Sequence, residues 1–75
     1  MKNVEKTLTQ KGFALLSEKE QFLYYQKEKD TEQICIVYDK KQKTIRSMDT
    51  YTLEGGNMNI ISHKPSQFQD VLRTS

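Results

Sequence analysis

The stretch QICIVYDKKQKTIRSM, residues 33–48, decides how this chain folds. Its apolar run Ile34-Cys35-Ile36-Val37-Tyr38 meets the polar turn Asp39-Lys40-Lys41-Gln42-Lys43, and Thr44-Ile45-Arg46 opens a second β-prone run. β-Branched and aromatic residues bounded by turn formers give strand, hairpin turn, strand. A run with no polar face has to be covered on both sides, so residues 33–39 are the expected central strand.

Working outward, residues 21–27 (QFLYYQK) read as the preceding strand and residues 13–16 as the one before it, with residues 17–20 and 28–32 as turns. Ser17 with Glu20 also fits a capping box, which would make residues 18–29 a helix. The successive Phe22, Leu23, Tyr24 and Tyr25 are β-prone and poorly spaced for a helix, which favours the strand. On the other side, residues 44–52 continue as a strand, residues 53–57 with Gly55-Gly56 break it, and residues 58–61 form a short last strand. Residues 2–11 place Val4 and Leu8 on one helical face, and Gly12 is the residue expected at a left-handed helix end. A C-terminal helix starts between Ser62 and Ser66, with Pro65 in its first turn and Phe68, Val71 and Leu72 as its buried stripe. The expected architecture is α+β: an N-terminal helix, an antiparallel meander sheet of three or four strands, and a C-terminal helix, in one domain spanning residues 1–75.

Seventy-five residues with 35% hydrophobic and 29% charged side chains make a small, polar globular domain. A chain of this size buries only about 60–65% of its unfolded surface. The formal charge of +2 is too small to require a nucleic-acid or membrane partner. Cys35 is the single cysteine, so no intrachain disulfide can form, and a cysteine in an apolar run is ordinarily a small buried hydrophobe. No segment approaches the roughly 20 apolar residues of a membrane span, and residues 1–6 carry no signal-like apolar core. These features imply a cytoplasmic, reducing location and no membrane partner.

Chemistry-bearing patterns are sparse. His63 is the only histidine, and no cluster of histidines or cysteines has metal-ligand spacing, so no metal or cofactor is expected. The expected place of His63 is an exposed loop or first helical turn. A Cys35–His63 nucleophile and base pair would need a reactive thiol in the middle of a buried strand. Asp39 and Asp49 are possible neighbours across the hairpin, but aspartates there are ordinary turn formers. Gly55-Gly56 matches no phosphate-loop spacing. No catalytic residue is named, and the chain is read as a non-enzyme.

Two binding readings remain. The sheet has apolar residues on both faces, and two short helices cover one face well. If both lie on that face, the other is a contact surface for a second copy or another protein, with Tyr24, Tyr25 and Tyr38 as the contact residues. If they lie on opposite faces, no such surface exists. The alternative is a nucleic-acid interface on Lys40, Lys41, Lys43 and Arg46, with nearby tyrosines stacking bases. Lysines at a hairpin tip also serve simply to keep a sheet soluble, and the near-neutral chain favours that role.

The order of helix, Lys11-Gly12-Phe13, Tyr24-Tyr25 strand, residues 34–39 strand, lysine turn, and Ile60-Ile61-Ser62 leading into a helix resembles small uncharacterised α+β proteins of phages and mobile elements in low-GC Gram-positive bacteria. That resemblance of layout implies an accessory protein that binds a host or phage protein; it implies no activity and no site residues. The order is also similar to that of double-stranded-RNA-binding domains, but residues 62–67 lack the lysine cluster with which such domains grip phosphates, so that function is not carried over.

Overall fold

Side-chain alternation along the strands determines which residues are buried. In the computed structural model, which describes residues 4–74, a helix α1 (Val4–Gln10) leads into five strands, β1 (Ala14–Lys19), β2 (Phe22–Lys29), β3 (Glu32–Asp39), β4 (Thr44–Glu54) and β5 (Asn57–Ser62). A short 3₁₀ turn (Pro65–Gln67) and a second helix, α2 (Phe68–Thr74), follow. The strands form one antiparallel sheet in the order β1-β2-β3-β4-β5, a pure meander with β3 at its centre.

Opposed residues share a face. Leu15, Tyr25, Ile36 and Met48 stand in one row across the sheet, and Leu23, Tyr38 and Ile45 in another. All of these but Leu15, which is exposed at the β1 edge, meet Leu8 of α1, Phe13 and Phe68 of α2 in a single core, with Leu8, Ile36 and Met48 fully buried. Val4, Val71 and Leu72 pack at its margin, so the stripe expected for the C-terminal helix does face the sheet.

Local chemistry explains the ends of the elements. The N–H of Phe13 donates to the carbonyl of Leu8 (2.9 Å) and the N–H of Gly12 to that of Thr9 (3.1 Å), with Gly12 at φ 91°. This pair of bonds is the Schellman closure, which needs a left-handed residue where Gly12 stands and tucks the next hydrophobe, Phe13, into the core. At the other end, the Gln67 side chain accepts from the N–H of Lys64 (3.0 Å), and Pro65 occupies the first turn without wasting a donor.

Several expectations change. The sheet has five strands rather than three or four, because Gly55 and Gly56, both at positive φ, close a two-residue turn that sets Asn57 directly opposite Glu54. β4 spans eleven residues and pairs with β3 on one side and β5 on the other. Residues 17–19, expected in a turn, continue β1, and the connection is only Glu20 and Gln21. The rival helix over residues 18–29 does not form. The first helix is shorter than residues 2–11, and residues 2 and 3 lie outside the described residues. The central strand is covered on one face only, because the core gathers both helices on the side of Ile34, Ile36 and Tyr38.

Candidate functional site: the open sheet face and its β5 edge

Because both helices sit on one side, no element among the described residues covers the opposite face. Its residues follow from the register. Ser17, Tyr24, Val37 and Ser47 form one row; Ala14, Gln26, Cys35, Asp49 and Ser62 form the next; Glu28, Gln33, Tyr51 and Ile60 form a third; and Leu53 stands opposite Met58. Two apolar corners result, separated by the polar row through Gln26 and Asp49.

The first corner holds Phe22, Tyr24 and Val37. An extra residue in β4, between the Val37–Ser47 and Tyr38–Ile45 pairs, is Arg46, and the bulge sets its guanidinium 5.3 Å from the centre of the Phe22 ring. The second corner holds Tyr51, Leu53, Met58 and Ile60, with Met58 63% and Ile60 60% exposed. A shallow concavity joins Tyr51, Leu53 and Met58 to Glu28, Asp30 and Glu32.

Charge separates along the strands. The end with the Glu20-Gln21 and 40–43 turns carries Lys19, Lys40, Lys41, Lys43 and Arg46 against Glu18, Glu20 and Asp39. The end with the Asp30-Thr31 and Gly55-Gly56 turns carries Glu28, Asp30, Glu32 and Glu54 against Lys29. The two edges differ as well. β1 presents Glu18 and Lys19 and is bent by a bulge between Leu15 and Ser17, both guards against strand addition. β5, NMNIIS, is exposed at all six residues and contains no charge and no proline.

The structure places the expected binding residues apart. Tyr24 lies on the open face, half-buried by its neighbours. Tyr25 and Tyr38 are 6% and 5% exposed and belong to the core, since Tyr25 follows Tyr24 onto the other face and Tyr38 stands opposite Leu23. Burial pushes both phenol pKa values up, and the Glu5 carboxylate adds to each shift. Lys40, Lys41 and Lys43 sit exposed in the hairpin turn, where Lys40 pairs with Glu18. The turn is shaped by buried Asp39, whose Oδ1 accepts from the N–H groups of Lys41 and Gln42, each at 3.0 Å. Asp39 pairs with Thr44 and Asp49 with Cys35, so the two aspartates are not neighbours.

Cys35 is half-buried on the open face; burial raises its thiol pKa, and the carboxylate of Asp49 opposite raises it further. Such a thiol is a poor nucleophile at neutral pH. His63 is half-buried rather than exposed, and its Nε2 lies 2.6 Å from the Oγ1 of Thr50. Cys35 and His63 stand on opposite sides of the sheet. Among the described residues no three His, Cys, Asp or Glu side chains are grouped to hold a metal, and no helix is long and apolar enough to cross a membrane.

Phe22, Leu53, Met58 and Ile60 are not among the contact residues expected from the sequence. The legible signal was alternation: positions 51, 53, 58 and 60 are all apolar, and a two-residue Gly-Gly turn puts them on one face. Compared with known proteins, the chain matches no family model, no curated protein and no solved structure.

Proposed function

We propose that this chain is a non-enzymatic protein-interaction module that recruits its partner by strand addition to β5, and that the partner is a second copy. The observation that carries the reading is β5 itself: a six-residue, uncharged, fully exposed edge beside an apolar corner. Unpaired strand N–H and C=O groups supply the affinity of such a contact and alternate side chains its specificity. Two β5 strands side by side and antiparallel satisfy a two-fold axis, and a two-fold at Asn59 sets Met58 of each copy opposite Ile60 of the other. Assembled in this way in the cytoplasm, the module fits the phage accessory or regulatory role that its layout resembles.

Sedimentation equilibrium tests this directly. The natural chain is expected at twice its monomer mass, and Ile60→Lys, which puts a charge in the middle of the edge, at the monomer mass with an unchanged fold. A natural chain that stays monomeric across the accessible concentrations, or an Ile60→Lys variant that still dimerises, overturns the proposal.

A second reading rests on Arg46 above the Phe22 ring, beside Tyr24 on the open face. A basic and aromatic corner on an open sheet suits single-stranded nucleic acid. Titration with single-stranded oligonucleotide at two salt concentrations separates the cases. Tight binding at low salt that collapses at high salt supports it, and absence of binding at low salt removes it.

A further inference from the structure

On the helix-covered side, α1 and α2 have few close approaches to one another and leave a groove between them. Its volume is about 420 Å³, and its apolar wall is made by Val4, Ile45, Pro65, Phe68 and Leu72. The groove is rimmed by three cations from three separate elements: Lys11 just after α1, Lys43 in the β3–β4 turn and Arg73 in α2. Among the described residues no carboxylate lines it. Arg73 lies 3.9 Å from Asp70, an exposed contact too long to neutralise it strongly. Among the described residues neither Lys11 nor Lys43 is in an ion pair.

From this geometry we infer that the groove binds a small amphiphilic carboxylate, its alkyl chain on the apolar wall and its anionic head among Lys11, Lys43 and Arg73. The charge pattern sets the sign of the head group. The size sets the class of ligand. The volume falls within the roughly 300–1,000 Å³ of small-molecule sites. Helices of seven residues flank the groove for only about 10 Å, too short a wall for the roughly 800 Å² per side of a specific protein interface. The site is independent of the β5 edge, which lies on another part of the sheet.

The test is titration of the full chain with octanoate, decanoate and dodecanoate below their micellar concentrations, followed by amide NMR shifts and calorimetry. Saturable binding is expected, with the largest shifts at Val4, Ile45 and Leu72. Affinity should rise about fourfold per added methylene, the ratio that ~0.8 kcal/mol per buried CH₂ gives. Lys43→Gln and Arg73→Gln, both at exposed positions, should each weaken binding several-fold, while Ile60→Lys on the opposite face should leave it unchanged. Absence of saturable binding, affinity indifferent to chain length, charge variants that bind as the natural chain does, or loss of binding in Ile60→Lys would each overturn the inference.

Discussion

The Oγ1 of Thr50 and the Nε2 of His63 lie 2.6 Å apart, joining the fourth strand to the segment that leads into the C-terminal helix. The N–H of His63 also donates to the carbonyl of Met48, so the bond holds the first residue beyond β5 against the sheet. Thr50→Val keeps the shape of a buried side chain and removes this partner. The expected loss is about 1 kcal/mol in urea unfolding, with faster amide exchange in residues 63–74. Unchanged stability and exchange would show that the bond does not fasten α2.

Gly12 closes α1 in a conformation that a side chain resists, at φ 91°. There is room for a methyl group, since the nearest atom to an added Cβ is on the flexible Lys27 side chain at 3.7 Å. Gly12→Ala is therefore a clean measure of backbone cost. It should lose about 1–2 kcal/mol by calorimetry. A neutral outcome would mean the helix end re-forms another way.

Asp39 is buried at the end of β3 and accepts two backbone N–H groups of the lysine turn. Asp39→Ala leaves both without their acceptor and should cost about 1–2 kcal/mol, whereas Asp39→Asn keeps a carbonyl oxygen in place and should cost less. Equal losses for the two variants in chemical unfolding would point away from the acceptor role.

Ile36 is at the centre of the central strand and 1% exposed. Ile36→Asp puts a carboxylate among Leu8, Met48 and Tyr25, and the expected outcome is a chain with no cooperative melting transition. A cooperatively melting Ile36→Asp variant would refute this account of the core.

Alkaline pH should unfold the protein through its tyrosines. Burial, aided by Glu5, raises the phenol pKa values of Tyr25 and Tyr38 above their ordinary 10.0. Below pH 10 both the folded and the unfolded chain keep these protons, and the stabilisation is fully present. Above pH 10 the unfolded chain releases them first, so stability falls as pH rises through the folded values. Unfolding monitored across this range should show a shallower fall for Tyr38→Phe. An identical pH profile for that variant would exclude the phenol as the cause.

The hairpin of residues 33–48 was legible because an apolar run and a lysine turn are local signals, and local signals also gave the helix end at Gly12 and the stripe of Phe68, Val71 and Leu72. What stayed illegible was relational. Tyr24, Tyr25 and Tyr38 look alike as residues, and only strand register assigns Tyr24 to the open face and the other two to the core. Gly55-Gly56 was visible as a break, but whether a break ends the sheet or reverses it depends on the length of β4, which extends two residues beyond the expected end. The exposure expected of His63 fails because its partner Thr50 is thirteen residues away, beyond the reach of any local pattern.

The strict meander order has a kinetic consequence. Each strand pairs with its sequence neighbour, so every step of sheet formation closes a short loop and needs no distant segment. Seen this way the sheet is a polymer grown one strand at a time, each addition burying the previous edge and creating a new one. At one limit of the sheet lies β1, a bent and charged end. At the other lies β5, an uncharged strand with one edge unpaired, the position that β2, β3 and β4 would each hold without their next neighbour.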